Sequence, residues 1–134
     1  MNTEIRGAVS VIEKDGKHFM IKQSKSKPLS GQWRHPGGSL ESDEKPVDGL
    51  KREVMEETGM EIELIDEKPI VILKADYVDC YFGFFRARFK GSGLKIDEKE
   101  IADFGWFTMD QIRKLNLMNA TRIFYDNILA KTKG

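Results

Sequence analysis

The sequence predicts a mixed α/β chain of the α+β kind, a single domain of 134 residues (1–134) in which strands share a core with two or three helices. Three observations predict it. An Asp15-Gly16 turn separates two apolar runs, one stretch of helical periodicity follows, and a β-branched and aromatic region precedes a second set of helix signals.

Taken in order, Ala8, Val9, Val11 and Ile12 lead into Lys14-Asp15-Gly16-Lys17, and His18-Phe19-Met20-Ile21 returns. Asp and Gly both tolerate positive φ, so this reads as a hairpin. Residues 23–32 are polar, carry Lys25, Lys27 and Pro28, and read as a loop; Trp33-Arg34-His35-Pro36-Gly37-Gly38 is a turn-rich approach to the next element. From Pro46 to Thr58 the period becomes helical, with Val47, Leu50 and Val54 forming one apolar stripe expected to pack on the sheet. Pro46 suits the first turn and Gly59 the left-handed stop. Residues 62–73, broken by Pro69, read as one or two strands, and residues 77–89 as another. After Gly91-Ser92-Gly93 an acidic segment, 97–103, precedes Trp106-Phe107. Thr108-x-x-Gln111 has the form of a capping box, and Asn119 is expected to cap a last helix running to about Ala130.

Composition narrows the function. With 22 basic and 22 acidic side chains the net charge is zero, unlike a generic nucleic-acid binder, so no stable nucleic-acid partner is expected. Cys80 stands alone and only His18 and His35 accompany it, too few ligands for a zinc site and no internal disulfide. A reducing, cytoplasmic setting is the expectation. No apolar run approaches a membrane span, and residues 1–6 lack a signal-peptide pattern.

The chemistry concentrates in residues 38–60. Glu53, Glu56 and Glu57 lie at i, i+3 and i+4, on one helical face. Three crowded carboxylates repel one another, and a hard divalent cation, Mg²⁺ or Mn²⁺, resolves the crowding better than zinc. An acidic helix face taken alone is more often simply solvated.

The surrounding residues favour the cation. Gly38, Glu44, Arg52, Glu53, Val54, Glu56, Glu57, Gly59 and Met60 match G-x5-E-x7-R-E-U-x-E-E-x-G-U, where U is a bulky aliphatic residue. This resembles the Nudix hydrolase box, with Met60 admitted as aliphatic. Average residue usage gives a chance match on the order of 10⁻⁷ or less. Trp33-x-x-Pro36-Gly37-Gly38 and Glu100-Ile101 before Trp106-Phe107 also resemble the family, so the likeness covers most of the chain.

The resemblance implies an α/β/α sandwich with a mixed β-sheet between helices. It also implies Mg²⁺-dependent hydrolysis (Mn²⁺ as a substitute) of a nucleoside diphosphate linked to another moiety. Carried over, Glu53, Glu56 and Glu57 become metal ligands, helped by the carbonyl of Gly37 or Gly38. Glu53 is one candidate base and Glu100 or Glu98 the other. Glu44 and Arg52 orient the box rather than act on substrate. Gly49 and Leu50 stand where small residues, often alanines, are usual, and an interior glycine costs about 1 kcal/mol relative to alanine. Triphosphate-hydrolysing relatives often carry arginine near Gln23, so phosphate contacts here fall to Lys22, Gln23, Lys25, Lys27 or Arg34.

For the base, Trp33, Phe82, Phe84 and Phe85 are stacking candidates, with core packing the alternative. Tyr77 lies 77 − 60 = 17 residues past Met60, as a tyrosine does in some dinucleoside-polyphosphate relatives. Pro69 lies too close to the box for the ADP-ribose pattern. The expected substrate is a small-molecule nucleotide, foremost a nucleoside triphosphate giving monophosphate and pyrophosphate. Dinucleoside polyphosphates, nucleotide sugars or ADP-ribose, and a non-catalytic nucleotide-binding module, are the alternatives. A homodimer is compatible with the sequence. His18 and His35 are given no catalytic role, and Cys80 reads as a small buried hydrophobe.

Overall fold

The computed structural model describes residues 4–76 and 79–129. Its strands are β1 (Ile5–Lys14), β2 (Lys17–Gln23), β3 (Trp33–Arg34), β4 (Gly37–Ser39), β5 (Glu61–Leu64), β6 (Val71–Lys74), β7 (Tyr81–Lys90) and β8 (Ile101–Phe107). The helices are α1 (Pro46–Thr58), α2 (Met109–Arg113) and α3 (Asn119–Ile123), the last continuing as a π-helical turn, Phe124–Leu129.

β1 is central. It runs parallel to β7, from Ile5 beside Tyr81 to Ile12 beside Ala87, and antiparallel to β4. β7 carries β5 and β6 along its other edge, both antiparallel. The hairpin turn at Asp15 and Gly16, both at positive φ, brings β2 back onto β1, and β2 also pairs with β3 and β8. The region 62–73 therefore resolves into two strands, on either side of Pro69.

Both faces of the sheet are covered, which is why β1 reads as a continuous apolar run rather than an alternating one. Ala8 and Ile12 point toward α1 and meet Leu50, Val54, Phe19, Ile21, Ile62 and Phe85. Val9 and Val11 point the other way, into Met20, Trp33, Phe84, Ile112, Leu117, Phe124 and Tyr125. Leu50 and Val54 are wholly buried, each burial stabilising by about 1.5–3 kcal/mol. Val47, expected in the same stripe, is only partly buried and lies outside both core clusters. The stripe that packs is therefore Leu50 and Val54.

Gly59 ends α1 at φ +69°, donating to the Met55 carbonyl as the sequence suggested. Thr108 closes a complete capping box with Gln111. Asn119 does not cap the last helix. Met118 occupies that position, and the Asp76 carboxylate, 43 residues earlier, accepts from the N–H groups of Asn119 and Ala120. An Asp side chain arriving from another loop does the work that a local Asn would otherwise do. Cys80 is half-buried in a bend just before β7, not within the strand.

Candidate active site

Residues 38–60 form a loop and helix held by one arginine. Arg52 grips Glu44 with both ends of its fork, Nε to Oε2 at 2.8 Å and Nη2 to Oε1 at 2.9 Å. It also donates to Glu53 at 3.1 Å, to Glu56 at 3.3 Å and to the Ser39 carbonyl at 3.2 Å. A bidentate charged pair of this kind fixes geometry as well as charge. Arg52 and the backbone N–H of Glu41 together hold the Glu44 carboxyl down to about 2. Gly49 explains its own presence: a Cβ there would stand 2.3 Å from Leu40 and 2.8 Å from the Glu44 carboxylate. The glycine in α1 is thus the clearance that lets the Glu44–Arg52 clamp close over the helix.

The three glutamates that share a helical face do not share an environment. Glu57 is buried, 2% exposed at its side chain; Glu53 is 17% exposed and Glu56 54%. Burial pushes the Glu53 carboxyl up to about 7; neighbouring Glu57 adds to this and Arg52 opposes it. Burial also raises Glu57, against the pull of Arg34 and the Gly37 N–H, with Glu100 adding to the rise. Glu57 Oε2 accepts from Arg34 Nη2 at 2.7 Å and Oε1 from the Gly37 N–H at 2.8 Å.

Both glycines of the loop are required by close approach. Gly37 sits at φ +148°, and a Cβ there would meet the Ala8 carbonyl oxygen at 2.2 Å. One on Gly38 would meet the Glu53 carboxylate at 2.6 Å. The acidic segment is drawn in by the far end of α1, where Lys95 and Asp97 donate to the carbonyls of Thr58 and Glu57. Ser24 and Ser26 then tie the lysine loop to the Lys99 carbonyl, and Lys27 meets Glu100 at 3.0 Å. The opposed charges of the two loops are thereby brought face to face.

These elements enclose a cavity of about 280 Å³. Its lining combines a polar set, Glu53, Glu57, Glu100, Gly37, Gly38, Lys27 and Arg34, with an apolar set, Val9, Phe82, Phe84, Met118 and Ala120, plus Asp76 and Thr121. Among the described residues no three His, Cys, Asp or Glu side chains stand as a ready-made metal cage. The arginines hold the carboxylates instead. The donors in the polar lining are nevertheless all carboxylate and carbonyl oxygens, a hard set that fits Mg²⁺ or Mn²⁺ and not a thiophilic metal.

A NUDIX domain model matches residues 1–128. The chain belongs to the NUDIX hydrolase family. It is 34% identical over 106 residues to a MutT-like protein of Streptomyces ambofaciens, covering 76% of this chain but only 62% of that one. An 8-oxo-dGTP diphosphatase of Buchnera aphidicola is 30% identical over 110 residues, about four-fifths of each chain (81% and 80%). A MutT NUDIX hydrolase from Burkholderia pseudomallei superposes with a TM-score of 0.75 at 27% identity, covering 93% of this chain and 98% of that one. The α/β/α arrangement is therefore the NUDIX fold.

Within this NUDIX site the sequence-derived residues separate. Glu53, Glu57, Glu100, Gly37, Gly38, Gln23, Lys27 and Arg34 line the cavity. Glu98 is exposed and does not line the cavity, whereas Glu100 does. Glu56, Lys22 and Lys25 do not line it either. Trp33 is 8% exposed and packs edge-on against Phe107 at 5.1 Å, a core residue rather than a stacking platform. Phe85 is likewise core, while Phe82 and Phe84 reach the cavity. Tyr77 lies outside the described residues. Asp76, Met118 and Thr121 also line the cavity, and a lone Asp, Met or Thr carries no spacing signal in the sequence.

Proposed function

We propose that this chain hydrolyses a nucleoside triphosphate to the monophosphate and pyrophosphate, with Mg²⁺ as cofactor. The observation that supports this is the mixed lining of one cavity: carboxylates, glycine backbone and Lys27 together with an apolar wall that carries two aromatic rings. That is the polarity of a polyphosphate joined to a base. Glu53, Glu57 and the exposed Glu56 would hold the cation, with the Gly37 or Gly38 carbonyl. A bound divalent cation neutralises phosphate charge and makes the attacking water more acidic. Lys27, which pairs with Glu100 at 3.0 Å, would supply positive charge to the polyphosphate, and Glu53 or Glu100 would accept the water's proton. The water oxygen bonds to phosphorus, the anhydride P–O bond breaks, and pyrophosphate leaves. We read the whole chain, 1–134, as one domain.

A second groove of about 530 Å³ adjoins the first through shared residues Ala75 and Asp76, and carries Lys74, Asn119 and Arg122. Its room for another moiety favours, as the second reading, dinucleoside polyphosphates or nucleotide sugars. A hydrolysis screen in Mg²⁺ with product identification separates them. Nucleoside triphosphates yielding monophosphate and pyrophosphate are expected as the fastest substrates. Faster turnover of a nucleotide sugar, ADP-ribose or dinucleoside polyphosphate would replace the first reading with the second.

The cation also predicts a pH-dependent melting shift. A carboxyl raised to about 7 in the fold, against 4.5 ordinarily, contributes stability that is present below 4.5 and lost as pH rises through about 7. Without metal, ionising Glu53 therefore weakens the fold at pH 8. Millimolar Mg²⁺ is expected to raise the melting temperature by roughly 5 °C at pH 8 and by about 1 °C at pH 5. An equal shift at both values would separate the cation from this carboxylate.

A further inference from the structure

Arg34 looked like a phosphate contact in the sequence, but its guanidinium is turned toward the protein. Nε donates to Gln23 Oε1 at 2.8 Å, Nη1 to the carbonyls of His35 at 3.0 Å and Gly37 at 3.2 Å, and Nη2 to Glu57 Oε2 at 2.7 Å. The side chain is 14% exposed. Glu57 is closed from the other side by the Gly37 N–H on Oε1. Arg34, Gly37 and Glu57 thus form a ring of hydrogen bonds in which one planar cation sets both a carboxylate and a backbone carbonyl. Gln23 sets the cation in turn, its own amide anchored on the Pro28 carbonyl at 3.0 Å.

We propose that Arg34 is a positioning residue for the metal edge of the site, fixing the Glu57 carboxylate and the Gly37 carbonyl before the cation arrives. This rests on the reading of Glu57 as a metal ligand. The physical case is that Glu57 is buried, and a buried carboxylate needs a counter-charge and several donors to hold one orientation. Each of its oxygens has one inward hydrogen bond, and an oxygen with two lone pairs keeps one for a cation. Arginine also has the required shape. A lysine ammonium is a point charge and cannot span Gln23, Gly37 and Glu57 in one plane. The partners that orient metal ligands commonly set metal affinity by about 10- to 100-fold when removed. Arg34 therefore belongs to the cation's affinity, while the substrate's phosphates fall to Lys27.

The test is Mn²⁺ binding to the nucleotide-free protein, followed by the EPR signal of free Mn²⁺, for wild type, Arg34→Lys and Gln23→Leu. Steady-state kinetics at saturating metal accompany it. Arg34→Lys is expected to weaken Mn²⁺ by about tenfold or more and to raise the metal activation constant in parallel. The nucleotide KM at saturating metal should change by less than about threefold. Gln23→Leu, which leaves Arg34 in place but removes its Nε acceptor, should give a smaller loss in the same direction. Unchanged Mn²⁺ affinity in Arg34→Lys, with a KM raised tenfold, would overturn the proposal and return Arg34 to phosphate contact. Absence of Mn²⁺ binding in the wild type would instead remove the metal reading of Glu57 itself.

Discussion

Glu53→Gln is expected to lower Mg²⁺-dependent nucleotide hydrolysis by about 10²–10⁴-fold while the protein stays folded. Glutamine keeps the shape of the side chain and an oxygen able to accept from Arg52, which donates to Glu53 Oε1 at 3.1 Å. What it loses is the charge. Glu53 lines the cavity, its carboxylate packs against the Gly38 backbone, and burial opposes its ionisation. A neutral group at that point removes an anionic oxygen from the proposed metal edge and a candidate acceptor for the water's proton. It also relieves the repulsion with Glu57, so the melting temperature without metal at pH 8 should be equal to wild type or higher. Turnover and thermal melts on the same preparation check both halves. Wild-type turnover in this variant would end the assignment of Glu53, and a collapsed melt would make it a structural residue.

Tyr125→Phe is expected to cost about 2–4 kcal/mol of stability with little change in the site's metal affinity. The Tyr125 hydroxyl lies 2.7 Å from His18 Nδ1 and 2.7 Å from His35 Nε2, all three side chains being buried. One hydroxyl has one proton, so it donates to one histidine and accepts from the other. His18 Nε2 faces Glu13 at 3.9 Å, which suits a proton there and makes Nδ1 the acceptor. The hydroxyl oxygen then receives the Nε2–H of His35. His35 Nδ1 is left as a bare lone pair with no partner among the described residues. That is consistent with a ring held neutral, its pKa lowered to about 3, chiefly by burial. Phenylalanine fills the same space but removes the hydroxyl that bonds both imidazole rings, and each unsatisfied buried group costs about 1–3 kcal/mol. Chemical denaturation measures the loss; a change below about 0.5 kcal/mol would mean that water or a side-chain shift replaces the hydroxyl.

The box, α1 and its glutamates were legible in the sequence because their spacing is local. Glycine, arginine and glutamate at fixed intervals on a helix state their geometry directly, and Gly59 and Thr108 state their caps. The histidines were not legible. Neither has a partner nearby in sequence, and Tyr125, 107 residues from His18, is joined to it only when the last helix packs on the sheet. The direction of the Arg34 guanidinium is illegible for the same reason. Its partner Glu57 lies 23 residues away, and a lone arginine in a loop says nothing about which way it points. Local rules favour Asn119 as a cap, whereas Asp76 reaches that helix end through space. Nothing near Trp33 in sequence shows that it belongs to the core; the contact that places it there comes from Phe107.

By itself, then, the sequence determined the family, the helix that carries the carboxylates and the hard-oxygen character of the site. These depend on identity and on a 3.6-residue period, and both are written along the chain. Only the tertiary structure decided how each charge is spent. Zero net charge conceals two acidic segments and one basic loop, and folding pairs Lys27 with Glu100 and Arg34 with Glu57. The same fold buries Glu57, half-buries Glu53 and leaves Glu56 in solvent, although all three share one helix face. Burial and counter-charge depend on what packs against a residue from elsewhere in the chain, which one-dimensional spacing does not contain.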